Sequence, residues 1–210
     1  MSEYGDMTLD AYRDALASNQ PTPGGGSAAA VALSQAAALT IMVCELTLKG
    51  EKWIEGHEIA TETRALATPL LERGHELAHE DAHSFDGVMA AFRMPKESDD
   101  EKAARRAAIH AGTLVAAEVP LETANAAFEL LTALSGLAVH GNANAVTDVG
   151  VAGLLASAAC KGALFNVEIN LLGLPEDVGG ELRDAHDALK SRCKDESRAV
   201  MQAVNSRMHD

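Results

Sequence analysis

The sequence predicts an all-α protein, and three observations carry that reading. No stretch alternates apolar and polar residues over strand length, so a half-buried sheet has no candidate strands. Apolar residues make up 47% of the chain and aromatics only 3%, so the core must be built from Ala, Leu and Val. Small side chains let helices approach closely, which suits a bundle. The third observation is an almost wholly apolar run from Ser27 to Leu48, entered through Pro21-Thr22-Pro23-Gly24-Gly25-Gly26-Ser27. At 210 residues the chain fits one helical domain, 1–210, with ample length for a core. The expected architecture is a compact helical bundle with a long buried central helix following a Gly-rich loop.

Taken in order, Thr8 to Ser18 reads as a short amphipathic helix, with Leu9, Tyr12 and Leu16 on one side and Asp10, Arg13 and Asp14 on the other. The Pro-Gly stretch ends it. Ser27 to Leu48 should be buried on most faces, and Ser34, Gln35 and Glu45 inside it mark a bundle helix and not a membrane span. Lys49 to Trp53 breaks that helix and brings the only tryptophan. A long amphipathic region follows from Ile54 to Phe92, kinked at Pro69. Beyond Pro95, Asp99 to Glu118 begins with acids and continues with Lys102, Arg105 and Arg106, a charge order that complements the helix dipole and reads as a solvated face. Pro120 restarts the chain into a helix reaching about His140. Gly141-Asn142-Ala143-Asn144 has turn chemistry, and Asp148 precedes a small-residue helix, Val149 to Lys161. Gly162 to Leu172 carries Asn166 and Asn170, four apart and so on one helical face. Gly173, Pro175, Gly179 and Gly180 make a turn before a closing amphipathic helix, Glu181 to Met208.

Charge and composition exclude several classes. A formal charge of −14 argues against nucleic acid, since phosphate contacts need a basic surface. No apolar run is expected to be long enough to span a bilayer and no basic-then-apolar leader opens the chain, so the expectation is a cytoplasmic protein without a membrane partner. Cys44, Cys160 and Cys193 are odd in number, far apart and without metal-ligand spacing. Cys44 and Cys160 lie in apolar helical runs and read as buried small hydrophobes.

The candidate chemistry starts at the glycine loop. Helix N-termini present unpaired N–H groups and the positive end of the dipole, and glycines let an anion approach the backbone. Pro23, Gly24, Gly25, Gly26 and Ser27 are therefore candidates to receive a carboxylate, phosphate or developing oxyanion; the alternative is a plain helix-entry turn with Ser27 near the cap. The loop is neither a Walker A nor a Rossmann fingerprint. His75, His79 and His83 span two turns, too far for one compact metal site, and read as a polar stripe with no metal. Asp81, in Asp81-Ala82-His83-Ser84-Phe85, is either a buried acid/base or a surface charge. Asp148 has Val146, Thr147, Val149, Gly150 and Val151 as neighbours, which points to a buried or cleft position where a carboxylate is costly unless paired. Lys52 beside Trp53 is an anion- or ring-binding pair, or a solvated lysine.

Together these blocks resemble the cyclodeaminase/cyclohydrolase family, which acts on one-carbon tetrahydrofolates. Pro21 to Ala30 is similar to its opening signature, Met42 to Thr47 follows, and Lys52-Trp53 stands where the family has a lysine cluster ending in Lys-Tyr. Asp81 to Phe85 is similar to its Asp-x-x-Ala-Phe element, with Ser84 in place of alanine. Pro95-Lys96, Glu101-Lys102-Ala103 and Val119-Pro120-Leu121 follow, then Gly141-Asn142-x-Asn144, Thr147 to Val151, Gly162-Ala163 and Asn166 to Asn170. The resemblance runs from about Leu9 to Val200. The lysine cluster is thinned to Lys49 and Lys52 with Glu51 between them.

The resemblance implies an all-helical homodimeric folate enzyme with no cofactor beyond its tetrahydrofolate substrate. It implies either hydrolysis of 5,10-methenyltetrahydrofolate to the 10-formyl product or cyclodeamination of formimidoyltetrahydrofolate with release of ammonia. Hydrolysis needs a positioned water, a carboxylate to take its proton and a donor as N5 leaves. Asp148 and Asp81 would share those roles, with Lys52 on the substrate or its glutamate tail. The loop and Asn142, Asn144, Asn166 and Asn170 would bind pterin edges or carboxylates. Cyclohydrolase is the preferred expectation, because no formiminotransferase domain is fused to the chain. A non-catalytic folate-binding or structural helical subunit is the contrasting reading, and the intact Asp81, Asp148 and glycine-loop blocks speak against it.

Overall fold

In the computed structural model, which describes residues 4–209, the chain forms seven α-helices and no strand among the described residues. They are α1 (Leu9–Leu16), α2 (Gly25–Leu48), α3 (His57–Ala67), α4 (Leu70–Phe92), α5 (Asp99–His140), α6 (Val146–Leu172) and α7 (Gly180–His209). Helix α2 starts at the glycine loop with Gly24 as an extended N-cap. It runs antiparallel to α4 on one side and α6 on the other. Ser27 meets Asp81 and Ser34 meets His75 across to α4, while Ala29 lies against Gly162 and Gly25 faces Asn166 on α6. Helix α5 packs behind α6 and α4, and α7 closes the bundle against α5 and α6.

Small residues set the spacing of these helices. At Gly74 a Cβ would stand 2.8 Å from the Ala30 carbonyl oxygen, so α4 lies on α2 at a distance only glycine permits. Leu33, Leu77, Leu130, Leu131, Leu134 and Leu137 are almost completely buried amid alanines and form the bulk of the core. The Ala, Leu and Val core expected from composition is therefore the one observed.

Several element expectations are corrected. Pro120 does not restart the chain: α5 runs unbroken from Asp99 to His140 with Pro120 inside it. A mid-helix proline leaves the carbonyl four residues earlier without its N–H partner. Here that carbonyl belongs to Ala116, and the Asn170 Nδ2 donates to it at 2.7 Å. The two segments expected at Val149 to Lys161 and Gly162 to Leu172 are likewise one helix, α6, starting at Val146. Pro69 does separate two helices, α3 and α4. The apolar side of α1 is not buried, for Leu9 is 84% exposed and no residue of α1 is buried.

Two helices, α2 and the Ala143–Leu172 segment, are long and apolar enough by composition to cross a bilayer, contrary to the expectation that no run reaches that length. In each, 56% of the apolar window is buried inside the bundle. The outer side of α6 is also apolar. Thr147, Val151, Leu154, Ala158, Lys161, Phe165, Ile169 and Leu172 recur every three or four residues and are all exposed. Cys160 and Cys193, distant in sequence, are fully buried side by side between α6 and α7.

Candidate active site

The glycine loop delivers the chain to the N-terminus of α2, and a carboxylate already occupies that position. Ser27 is fully buried, and its Oγ donates to Oδ2 of Asp81 at 3.0 Å. The Ser27 backbone N–H donates to the same carboxylate. Gly26 makes the approach possible, because a Cβ there would collide with the Asp81 carboxylate. Pro23 is buried and the Thr22–Pro23 peptide is cis. The anion-receiving loop read from the sequence thus receives an anion from its own chain.

Burial pushes the Asp81 carboxyl above the usual carboxylate range, and the two Ser27 hydrogen bonds pull in the opposite direction. A carboxyl so balanced is suited to take and return a proton. Tyr4 and Tyr12, the only tyrosines in the chain, stand beside it, their rings edge to face at 6.0 Å. Burial raises both phenols, with the Asp81 charge adding to the shift, and Tyr12 reaches about 12. The Tyr12 hydroxyl is buried and has no hydrogen-bond partner among the described residues, and Tyr4 bonds to Thr22. Sequence reasoning assigned Tyr12 only to an apolar helix face and passed over Tyr4. The available signal was that both tyrosines precede the glycine loop closely.

Of the other candidates, Asn166 stands at this end, with its Nδ2 facing Gly25 and donating to its own helix at the Gly162 carbonyl. Asn170 is committed to the Ala116 and Asn166 carbonyls, so its amide nitrogen serves the helices and not a ligand. The histidine stripe divides among different neighbours: His75 lies 3.4 Å from the Ser34 hydroxyl, while His79 stacks on His83 and meets Tyr4 edge to face.

The remaining candidates gather at the far end of α2. Asn142 accepts from the Asn144 N–H, its own N–H donates to the Thr47 hydroxyl, and its amide donates to the Leu46 carbonyl. It therefore splices the second loop onto the end of α2, and Asn144 is exposed beside it. Lys52 lies over the Trp53 ring at 4.6 Å, with the Arg207 guanidinium 6.0 Å from the same ring. Asp148 is half-buried in the first turn of α6, where its apolar neighbours had suggested a buried or cleft position. From Gly25 to Thr47 the helix rises about 33 Å at ~1.5 Å per residue. Asp81 and Asp148, expected to share one reacting carbon, therefore do not converge within one chain.

Comparison with known proteins settles the ancestry of this arrangement. A family model described as formiminotransferase-cyclodeaminase matches residues 8–182, taking in the glycine loop, Asp81 and Asp148. The chain belongs to that family. Within it, the chain is 37% identical over 179 residues to a methenyltetrahydrofolate cyclohydrolase of Methylorubrum extorquens, covering 85% of this chain and 86% of the relative. It is 30% identical over 206 residues to the formimidoyltransferase-cyclodeaminase of Rattus norvegicus, covering 96% of this chain and 38% of the relative. The formiminotetrahydrofolate cyclodeaminase structure from Thermotoga maritima superposes with a TM-score of 0.84 at 23% identity, over 96% of this chain and 97% of that one. The formiminotransferase-cyclodeaminase family thus supplies the all-helical fold seen here, and Arg207 lies beyond its matched region.

Proposed function

We propose that this protein is a methenyltetrahydrofolate cyclohydrolase acting in the cytoplasm as a homodimer, with no cofactor beyond the folate. The observation that carries the reading is the Asp81 carboxylate, half-buried, raised above its usual range and held by Ser27 at the N-terminus of α2. The 37% identical cyclohydrolase, matched over most of both chains, supports the choice of reaction.

The methenyl carbon lies in a cationic N5–C–N10 unit. Asp81 takes a proton from water as the oxygen adds to that carbon, giving a neutral tetrahedral adduct. Proton return to N5 accompanies cleavage of the C–N5 bond, and the hydroxyl proton is released as the 10-formyl C=O forms. One water is consumed and one net proton released. The negative carboxylate also stabilises the bound cation in a site with little water. The loop residues Pro23, Gly24, Gly25, Gly26 and Ser27, with Asn166, would line the pterin side.

A second copy of the chain supplies what one copy lacks. The exposed apolar stripe of α6 includes Val151, Leu154, Phe165, Ile169 and Leu172, between 47% and 71% exposed. Covering such side chains stabilises by about 1.5–3 kcal/mol for each one fully buried. A two-fold contact along this stripe is self-complementary, and an antiparallel pairing sets the glycine-loop end of one protomer against the far end of its partner. Lys52, Asn142, Asn144 and Asp148 of one copy would then complete the site around Asp81 of the other, with Lys52 on the substrate.

Cyclodeamination is the second reading, favoured by the relatives bearing that name and by the shared fold. The test follows loss of methenyltetrahydrofolate absorbance beside ammonia release from formimidoyltetrahydrofolate. Acceleration of the first alone is expected. Ammonia release moves the reaction to cyclodeaminase, and silence in both from folded protein overturns the enzymatic reading.

A further inference from the structure

The Tyr12 hydroxyl is shielded from water yet has no hydrogen-bond partner among the described residues. A phenol taken out of water normally keeps a partner for its O–H, and one left alone bears the full cost of its desolvation. Packing does not account for this position. Helix α1 has no buried residue, and Leu9 and Leu16 face solvent, so the helix is not held by an apolar face. Tyr12 and Ala15 are its only half-buried residues. A phenylalanine would serve the ring's contacts equally well, which leaves the hydroxyl without a structural task.

Its surroundings set it at the Asp81 end of the bundle. The Tyr4 ring meets Tyr12 edge to face at 6.0 Å and His79 of α4 edge to face at 6.2 Å. Tyr4 belongs to the short turn Tyr4–Asp6, which packs on α4. The Asp81 charge acts on both phenols, and burial together with that charge pushes Tyr12 up to about 12. At neutral pH Tyr12 is therefore an uncharged hydrogen-bond donor beside a carboxylate suited to accept protons.

We propose that Tyr12 is a second catalytic residue, whose hydroxyl donates a hydrogen bond to the oxygen that adds to the methenyl carbon. The proposal rests on the folate reading given above. A lone pair of the water forms the C–O bond while Asp81 takes a water proton, and Tyr12 keeps its own proton throughout. The C–N5 bond then breaks as a proton passes to N5, and the hydroxyl proton leaves as the formyl C=O forms. Negative character grows on the oxygen as its proton moves to Asp81, and the phenol O–H stabilises it there. The substrate carries no oxygen on the methenyl carbon, so this hydrogen bond exists only from water attack onward. An interaction of that kind raises kcat and leaves KM alone. The formyl oxygen of the product inherits it.

The test compares wild type with Y12F. On methenyltetrahydrofolate, Y12F is expected to lose about 10- to 100-fold in kcat, with KM within about twofold of wild type. It should bind the product, 10-formyltetrahydrofolate, about tenfold more weakly in calorimetric titration. Its melting temperature without folate should be no lower than that of wild type, because the group removed is an unpartnered hydroxyl. A second variant carries 3,5-difluorotyrosine at position 12, which makes the phenol more acidic. Its kcat should fall on the alkaline side as that phenol ionises, a limb that Y12F lacks. Full kcat in Y12F overturns the proposal, as does a loss of kcat matched by a lower melting temperature, or a fluorinated variant without the alkaline limb. A wild type that does not turn over methenyltetrahydrofolate refutes the cyclohydrolase reading, and product binding then decides the role of Tyr12 separately. Equal affinity of wild type and Y12F for 10-formyltetrahydrofolate overturns it, and weaker binding by Y12F supports it.

Discussion

At the scale of single residues, Asp81 combines opposing influences. Burial favours the neutral acid, and the Ser27 hydroxyl and N–H favour the anion. In the proposed role of base that activates water it must be ionised, so activity should fall as pH drops through its raised pKa. A profile of kcat/KM against pH should show an acid limb above the ordinary carboxylate value of about 4. S27A removes one stabiliser of the anion and should move that limb to higher pH. D81N should lose about 10²–10⁴ in kcat, the usual contribution of a positioned acid–base group, and retain a helical circular-dichroism spectrum. The stability sign is opposite. Because the folded carboxyl is raised, its contribution is fully present below the unfolded pKa and is lost as pH rises through the folded one. At neutral pH D81N should therefore melt no lower than wild type, the pattern of a site where function is held against stability. A D81N variant with full turnover would remove Asp81 from the chemistry.

At the scale of elements, the informative contact joins α5 to α6. Pro120 frees the Ala116 carbonyl, and Asn170 supplies the missing donor. N170L should leave that acceptor buried without a partner and lower the unfolding free energy by about 1–3 kcal/mol in urea titrations. P120A restores the backbone donor, so in its background N170L should cost clearly less. Additive effects of the two changes would show that they do not share this carbonyl. The pairing also explains a misreading. Asn166 and Asn170 share one helical face, and the family resemblance implied that both are ligand amides; only the neighbouring helix showed that Asn170 has a backbone task.

At the scale of the whole molecule, α2 and α6 are apolar on almost every side, although the bundle covers only part of them. F165E/I169E should leave a monomer in sedimentation velocity if the proposed homodimer pairs along α6, and abolish turnover with helix content unchanged. A mixing experiment reports the composite site directly. D81N and D148N homodimers should each be inactive, and random exchange should restore about a quarter of wild-type activity, because half the dimers then carry one intact site of two. No recovery on proven exchange would place Asp81 and Asp148 in separate functions.

The sequence by itself determined the helical class, the Ala-rich core, the loop that opens α2 and the family, because these depend on local composition and on blocks in fixed order. It marked Asp81 and Asp148 and, through the resemblance, set them at one reacting carbon, which a single chain does not do. Helix lengths across Pro120 and Gly162 were not legible, since a proline or glycine ends a helix only when no neighbour compensates, and here Asn170 of another helix compensates at Pro120. Tyr4 and Tyr12 entered the site only when the chain before the loop packed against α4. The tertiary structure alone decided that the candidates stand at two ends of α2, because sequence order carries no distance until helices are stacked antiparallel.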